Sequence, residues 1–338
     1  MLVTICTIRQ LPQAFALGDS VLPYATDIDG KPASFLIGLA DDPAHLPADF
    51  SSPYSLIPLS SLLPAETLAA LSATYTPTEF AAACKPLFIR EVFSLYPDET
   101  RLIYADPNIL FLHLLTTIWD QLGENNALLT PHITQRPNDT AWPDEKFFQN
   151  VGLYSADFLA FRRSDETDRL LAWWQDRAQE RAYINFCAGL CTDQLWLMYM
   201  PVFFTLVQVV KNPGWHAALW NLPERSLKAD HSGWQITGPT AADQPLLFFN
   251  AKGLFNADEG FFPNQNRLKL ANRPDVQALL ASYQQAVSAR ANPVLSSQYP
   301  AYGQQREPAV LRGWRRVTVQ SMRVVTRFID QVPLPVIR

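Results

Sequence analysis

Cysteine is scarce in this sequence, and the few cysteines that occur form no CxxC motif. The chain has 338 residues and four cysteines, which are Cys6, Cys84, Cys187 and Cys191. A structural zinc site requires closer Cys and His spacing than this. We therefore expect scattered thiols in a reducing cytoplasm, with neither a disulfide framework nor a zinc site.

Long apolar runs and an excess of positive charge are missing as well. No uninterrupted run of about 18 apolar residues occurs, so we predict no transmembrane helix. The opening residues, MLVTICTIRQ, lack a basic region followed by a long apolar core, and we expect no signal peptide and a cytoplasmic protein. The formal net charge of -5 and the pI of about 5.6 argue against a nucleic-acid partner.

Apolar segments are plentiful but short, and they are of two alternating types. Hydrophobic residues make up 48% of the chain and charged residues 17%, which indicates a folded protein with a large core. Strands are predicted at 2–8, 34–40, 54–59, 101–105, 158–164 and 246–253. Helices are predicted at 13–24, 64–75, 76–93, 166–183, 273–291 and 311–332, with a helix running towards a strand at 192–210. This alternation indicates an α/β fold with a mainly parallel sheet flanked by helices.

Local signals set several boundaries of this prediction. Thr78 is a plausible N-cap of the helix at 76–93, and Pro86 is expected to bend or divide that helix. A segment rich in Pro, Ser and Gln at 292–308 is typical of a linker. We therefore predict two parts, an α/β domain at 1–265 and a helical C-terminal extension at 266–338.

The helix predicted at 311–332 is basic and amphipathic. Its arginines are Arg312, Arg315, Arg316, Arg323 and Arg327. Such a helix either lies on an anionic membrane surface or packs its apolar side on the protein and leaves the arginines in water. The sequence favours neither strongly, so peripheral contact with the inner face of a membrane stays open.

The stretch RLIYADPNILFLHLL, at 101–115, places a carboxylate at the tip of a buried strand. In parallel sheets, ligands bind beyond the carboxyl ends of the strands. Asp106 and Asn108 offer two oxygen-bearing side chains at i and i+2, which suits a hard cation such as Mg²⁺ or Mn²⁺. An Asp-Pro-Asn triplet is, however, also a common turn former.

Six segments, in order, resemble bacterial glycosyltransferases of the GT-A type. LIYADPNILFL is similar to the DxD region of these nucleotide-diphospho-sugar transferases, and five further segments follow the family order around it. They are TEFAAACKPLFIREVF, GLYSADFLAFRRSDETDRLLAWW, TDQLWLMYMPVFF, GWHAALWNLPER and LLFFNAKG. The resemblance covers roughly 1–260 and is to the glycogenin-like, mostly retaining group, which implies a GT-A (Rossmann-like) sheet.

The resemblance implies a role for individual positions. Donor binding is implied for Thr7, Ile8, Arg9, Lys85, Asp106, Asn108 and Ser155. Asp193 and Gln194 would lie over the reacting sugar as catalytic residues, and Trp220 and Asn221 would shape the acceptor side. Asp106, Asn108 and Asn250 would hold Mn²⁺ or Mg²⁺. Ordinary structural roles compete with these: a solvated Lys85, a backbone-bonded Ser155, an Asp193 that favours a helix N-terminus and a Trp220 in the core.

The sequence departs from the family pattern at the implied metal site. Asn108 replaces the second acid, Asn250 replaces a late histidine, and Asp157 stands where a glycine is usual. Neutral amides are weaker ligands than carboxylates for a hard cation. Three interpretations stay open: a weak metal site, a metal-independent transferase that relies on Lys85 and Lys252, or a lost activity.

The expected function is transfer of a sugar from a UDP- or GDP-sugar to an acceptor hydroxyl. The resemblance implies a retaining hexosyltransferase of bacterial polysaccharide or lipopolysaccharide synthesis, with a saccharide or lipid-linked acceptor. The alternative is a catalytically inactive module of the same fold that binds a glycan or a protein, which Asn108 and Asn250 motivate. A nucleotidyltransferase is less favoured, because no Gly-rich phosphate loop follows the first strand.

Overall fold

A computed structural model describes residues 1–24, 34–231, 233–237, 243–307 and 313–331. The chain divides into two compact units, Met1–Arg306 and Glu307–Arg338. The four cysteines are free thiols, and all but Cys187 are buried.

The described strands are β1 (Leu2–Cys6), β2 (Phe35–Leu39), β3 (Ser55–Pro58), β4 (Arg101–Ala105), β5 (Ile109–Phe111), β6 (Ala127–Pro131), β7 (Tyr154–Arg162), β8 (Ile184–Asn185), β9 (Leu190–Cys191), β10 (Val207–Val209), β11 (Ala217–Ala218), β12 (Ser226–Asp230), β13 (Gly233–Thr237), β14 (Gln244–Pro245) and β15 (Phe248–Asn250).

Helices cover much of the rest of the described chain. They are α1 (Leu11–Val21), α2 (Ala65–Thr74), α3 (Pro77–Leu95), α4 (Thr116–Leu122), α5 (Glu145–Val151), α6 (Asp165–Arg181), α7 (Met200–Phe203), α8 (Pro274–Ala289), α9 (Pro293–Ser296) and α10 (Gly313–Gln331). Short 3-10 helices precede α1 at Ile8–Gln10 and α7 at Gln194–Tyr199.

The central sheet has seven strands in the order β10-β6-β7-β4-β1-β2-β3. β1 runs parallel to β2 and β4, β2 to β3, and β10 to β6, whereas β7 runs antiparallel to both of its neighbours. This confirms the predicted α/β fold with a mainly parallel sheet. Because β7 is reversed, its first residues lie beside the carboxyl ends of β4 and β6.

Alternation along the strands buries both faces of this sheet. Leu102 and Tyr104 of β4 join a core with α3 and α6, whereas Ile103 and Ala105 join a second core with α1 and α4. Successive side chains of a strand point to opposite faces, so a strand that is apolar throughout needs cover on both sides. Helices cover both faces of the sheet, so polar groups can reach solvent or a ligand only at the ends of the strands.

The structure contradicts the predicted N-cap of α3 and the predicted division of this helix at Pro86. Thr76, not Thr78, is the N-cap: its hydroxyl accepts from the backbone N–H of Glu79 at 3.3 Å, and the Glu79 carboxylate accepts from the N–H of Thr76 at 3.0 Å. Pro86 does not divide the helix, which is continuous from Pro77 to Leu95. Burial of α3 against α6 and the sheet outweighs the one backbone hydrogen bond that proline removes.

The segment predicted as a helix at 192–210 is only briefly helical. Thr192 has a left-handed backbone with φ of 49°, and a 3-10 helix and the one-turn α7 follow before β10. Asp193 therefore precedes a short, tight turn and not a long α-helix. This backbone directs the side chains of Asp193 and Gln194 into the interior, where both are buried.

The predicted boundary near residue 265 lies inside the first compact unit. Val276, Leu279 and Tyr283 of α8 are buried in a core shared with β11 and β15. The predicted linker at 292–308 is also held to this unit as far as it is described. Its backbone N–H groups at Gln304 and Gln305 donate to the carbonyls of Ser72 and Tyr75 at 2.7 and 3.0 Å.

Helix α10 belongs to the second unit and carries large exposed apolar side chains. Trp314 is 74% exposed, Val317 62%, Val324 66% and Phe328 68%. Helical spacing places these positions along one face and positions 316, 323 and 327 along a neighbouring face. The rest of the predicted segment, 311–312 and 332, lies outside the described residues. Among the helices of the described ranges, none is long and apolar enough to cross a membrane.

Candidate functional site

Polar side chains from three strands meet at one edge of the central sheet. Asp106 directly follows β4, and its backbone N–H donates to the carbonyl of Asp157 in the reversed strand β7 at 2.7 Å. Asn250 ends β15, which pairs antiparallel with β5 so that Asn250 lies opposite Ile109. This pairing brings Asn250 and the following Lys252 to the tip of β4.

Lys252 bridges two carboxylates at this edge. Its Nζ lies 2.6 Å from Oδ2 of Asp106 and 2.5 Å from Oδ1 of Asp157. The other oxygen of Asp106 accepts the backbone N–H and the side-chain amide of Asn108, both at 3.0 Å. The other oxygen of Asp157 accepts the amide of Asn250 at 2.8 Å. All four carboxylate oxygens are therefore satisfied within the protein, as buried charges require.

Burial and mutual attraction shift the pKa values of this cluster. Burial raises the pKa of Asp106 above its ordinary value, although the Lys252 ammonium opposes the shift. Burial acts in the same direction on Asp157, but there Lys252 prevails and holds the pKa of Asp157 below its ordinary value. Burial alone would lower the pKa of Lys252, yet the two carboxylates raise it. Lys252 is thus a permanent cation at neutral pH.

Two buried histidines lie behind the cluster in neutral form. Nε2 of His216 is 3.2 Å from the Asn250 amide, and its Nδ1 is 2.7 Å from the hydroxyl of Thr130. Because the Asn250 amide donates, Nδ1 carries the proton. His132 lies with its Nδ1 2.8 Å from the carbonyl of Gly152. Burial lowers the pKa of His132 to about 4 and that of His216 to about 3.

A second buried ion pair joins α3 to the segment before the 3-10 helix. Nζ of Lys85 lies 2.8 Å from Oδ2 of Asp193, 3.1 Å from the carbonyl oxygen of Ala156 and 4.9 Å from the centre of the Tyr104 ring. Gln194 is fixed beside it, since its amide donates to the Val151 carbonyl at 2.6 Å and accepts the N–H of Ala156 at 3.0 Å. Lys85 and Gln194 thus bind the backbone carbonyl and N–H of Ala156, near the start of β7.

A cavity of about 260 Å³, which includes the space at its open mouth, lies against Lys252. It is lined by His132, Asp157, Gln194, Trp220, Lys252, Glu259, Gly260, Phe261 and Phe262. The enclosed part of this space has room for about one water molecule only, so a bound ligand would have to widen it. Its aromatic walls with a few polar groups are nevertheless typical of ligand sites.

The structure brings together several of the residues predicted for the site. Asp106, Asn108 and Asn250 belong to the Lys252 cluster, and Gln194 and Trp220 line the cavity. Lys85 and Asp193 face each other behind it, and Ser155 is buried, with its hydroxyl accepting the N–H of Asp157 at 3.3 Å. Asn221 instead stabilises its own loop, because its amide bonds to the backbone of Ala218 and His216 at 2.9 and 3.0 Å.

Thr7, Ile8 and Arg9 form a separate group at the exit of β1. The hydroxyl and N–H of Thr7 bond to the Gln10 amide oxygen, both at 3.2 Å, and the N–H of Ile8 donates to Asp41 at 3.1 Å. Arg9 is exposed. None of these hydrogen bonds reaches the Lys252 cluster, and the role of the three residues beside a nucleotide base stays a prediction.

Sequence patterns indicated Asp157 only as a departure from the family pattern and Lys252 only as a possible substitute for a metal, and they missed Glu259. Asp157 is an isolated acid in an apolar strand, which is a signal for a functional or paired group. Lys252 follows a strand end by two residues, but nothing local distinguishes it from a surface lysine. Glu259 lies in the loop that lines the cavity, where burial raises its pKa.

The predicted metal ligands do not fit a divalent cation as they are arranged. The facing oxygens of Asp106 and Asp157 are bound to an ammonium, and the amides of Asn108 and Asn250 donate towards the carboxylates. In the ranges that the structure describes, no group of three or more His, Cys, Asp or Glu side chains is placed to hold a metal ion. A divalent ion would require Lys252 to leave.

The two neutral histidines predict a pH dependence of stability. Because the folded pKa of His132 is about 4, the unfolded chain binds a proton below pH 6.5 that the folded chain does not. The contribution of neutral His132 to the free energy of unfolding is therefore complete above pH 6.5. As the pH falls to 4, this free energy is expected to decrease by about 3 kcal/mol. Urea unfolding across this range checks it. His132→Gln should make the free energy of unfolding less dependent on pH, whereas His45→Gln, which alters an exposed histidine, is the control and should leave the dependence unchanged. Parallel pH curves for wild type and His132→Gln would contradict the prediction.

Comparison with known proteins gives distant similarities. No family model matches the chain. The uncharacterized protein YfnF of Bacillus subtilis (strain 168) is 24% identical over 200 residues, which are 59% of this chain and 64% of that protein. One similar solved structure is galactosyltransferase LgtC with donor and acceptor sugar analogues, at 13% identity and a TM-score of 0.47, over 85% of this chain and 95% of that chain. Another is mouse xyloside xylosyltransferase 1, at 12% identity and a TM-score of 0.40, over 74% of this chain and 96% of that chain. These identities are too low to transfer a side-chain role to this chain.

Proposed function

We propose that this chain is a GT-A-type glycosyltransferase that moves a sugar from a UDP- or GDP-linked donor to an acceptor hydroxyl. The observation that carries the proposal is the Lys252 ammonium, held between Asp106 and Asp157 at the edge of the sheet and at the wall of an aromatic-lined cavity. The two carboxylates leave the cluster without a net positive charge, so the contribution of Lys252 would be a charge-assisted hydrogen bond from its ammonium to an oxygen of the departing diphosphate. The six ordered segments of sequence resemblance support the same donor class.

The remaining residues of the site suit binding and positioning of the sugar. Trp220 presents an aromatic surface to the cavity, and Asp157 and Gln194 place polar groups at its wall. In a retaining mechanism, an oxygen of the donor diphosphate takes the proton of the acceptor hydroxyl. Asp193, predicted as a catalytic residue, is paired with Lys85 behind the cavity wall, so its negative charge would act on the sugar only at a distance. Fixed positions lower the entropy lost on reaching the transition state.

A donor screen tests the proposal directly. The full chain is incubated with UDP- and GDP-hexoses and simple saccharide acceptors, and the release of UDP or GDP is measured with and without acceptor. Acceptor-stimulated release with one donor is the expected result. Binding of glycans without binding or turnover of any nucleotide sugar would instead support an inactive, glycan-binding module.

We further propose that the acceptor is lipid-linked or part of a cell-surface polysaccharide, and that α10 contacts the inner face of an anionic bacterial membrane. Trp314, Val317, Val324 and Phe328 form an exposed apolar face, and positions 316, 323 and 327 form a basic one. A helix with an apolar face beside a basic one binds at the boundary of headgroups and acyl chains. This arrangement supports a cytoplasmic enzyme that works at a membrane surface.

Replacing Trp314 and Phe328 together by serine is expected to weaken vesicle binding about tenfold or more, because each buried aromatic contributes about 1.5–3 kcal/mol. Flotation with vesicles containing phosphatidylglycerol measures the effect, and deletion of 308–338 should abolish binding. Val294→Ser, which alters an exposed apolar residue outside α10, is the matched control. Undiminished flotation of the deletion variant would remove the membrane proposal and leave the transferase proposal intact.

A further inference from the structure

We propose that Lys252 is a built-in cation, which occupies the position at which a divalent ion would bridge Asp106 and Asp157 and allows this chain to hold its donor without a metal ion. The exclusion of the ion follows from the cluster alone. The consequence for the donor rests on the proposed function.

The geometry of Lys252 is that of a bridging cation. One Nζ lies 2.6 and 2.5 Å from single oxygens of two different carboxylates. A divalent ion bound to the same two oxygens would lie within a few ångströms of the ammonium, where like charges repel strongly. The ion and the ammonium therefore compete for one position.

The neutral neighbours are oriented for an ammonium and not for a metal. The Asn108 and Asn250 amides direct N–H groups at the carboxylates, and N–H groups cannot ligate a cation. The side-chain oxygen of Asn108 accepts from the Tyr283 hydroxyl at 3.3 Å, and that of Asn250 accepts the N–H of Lys252 at 2.9 Å. These oxygens are thus engaged away from the bridging position.

The loop that carries Lys252 holds its side chain in place. Gly253 and Gly260 both have left-handed backbones, with φ of 76° and 81°. They allow the chain to turn back over the lysine, and a Cβ added at Gly260 would lie only 3.3 Å from Cγ of Lys252. The ammonium is therefore preorganised at the cavity wall, which favours contact with a phosphate group without a further ordering cost.

Binding of Mn²⁺ alone, measured by electron paramagnetic resonance, tests this inference. Wild type is expected to show no specific Mn²⁺ binding up to about 1 mM, a concentration at which even weak protein sites for hard cations fill. Lys252→Ala frees both carboxylates and is expected to bind one Mn²⁺ about 100-fold more tightly or better. Lys252→Ala with Asp157→Asn should lose that site again, and Lys252→Arg, which keeps the charge, should not gain it.

Several outcomes overturn the inference. They are a tight Mn²⁺ site in wild type that Asp106→Asn removes, a folded Lys252→Ala variant without the new site, and wild-type turnover that stops in EDTA and returns with Mn²⁺. If Lys252→Ala does not fold, Mn²⁺ binding to wild type and the effect of EDTA on wild-type turnover still test whether Lys252 replaces the metal ion. If no donor is turned over but the Mn²⁺ results are as expected, the proposed function fails and the built-in cation stands.

Discussion

Replacing Asp106 by asparagine is expected to lower turnover about 10²- to 10³-fold, the loss typical of removing one preorganised charge interaction from a catalytic site. The variant keeps the shape of the side chain but removes one of the two carboxylates that fix Lys252. Asp106 is then a positioning residue, which acts through the ammonium. The loss should therefore appear in kcat more than in KM, and Mn²⁺ should not restore it.

Stability separates this role from a purely structural one. Asp106→Asn still leaves Lys252 paired with Asp157, so the fold is expected to persist, as circular dichroism and thermal unfolding can show. Asp176→Asn, which alters a carboxylate that is 65% exposed, is the matched control and should keep full turnover. Full activity of Asp106→Asn would refute the role of this acid and weaken the case for a transferase site at this edge.

The position of Asp106 was predictable from the sequence, because it depends on local pattern. A short apolar run predicts a buried strand, and an acid directly after it must lie at an end of the sheet. The general rule that ligands bind beyond the carboxyl ends of strands supplied the rest. In the structure Asp106 directly follows β4 and is buried.

The partner of Asp106 was not predictable in this way. Lys252 is separated from it by 146 residues, and their contact depends on the pairing of β15 with β5. Nothing in the residues around Lys252 specifies that pairing. The sequence could name Lys252 as a possible replacement for a metal only because the resemblance showed Asn108 and Asn250 where ligands were expected.

Errors in the helix predictions have two different physical causes. The N-cap at Thr76 was readable, since Thr-x-x-Glu before an apolar run is a capping box, and Thr78 was the wrong choice of two threonines. The continuity of α3 through Pro86 was not readable, because tertiary packing decides whether a helix tolerates a proline. Composition likewise cannot distinguish a loose linker from the packed segment that contains Gln304.

Replacing Lys85 by methionine is expected to lower the free energy of unfolding by about 3–5 kcal/mol and to abolish most turnover. Lys85 and Asp193 are both buried, with side-chain exposures of 9% and 2%. Removing one partner leaves an unpaired charge in the interior, which costs far more than the pair contributes when intact. Urea unfolding measures the first effect, and nucleotide release with the identified donor measures the second.

The double variant Lys85→Met/Asp193→Leu distinguishes structural from functional use of this pair. Replacing both charges by apolar groups of similar size often restores stability, so the double variant should unfold at a higher urea concentration than Lys85→Met. Its turnover should stay low, because the ammonium that binds the Ala156 carbonyl behind the cavity is lost. The exposed pair of Arg177 and Asp176 provides the control, since Arg177→Met should change stability little. Additive losses in the double variant would show that the two side chains do not interact, and recovered turnover would show that the buried charges serve the fold alone.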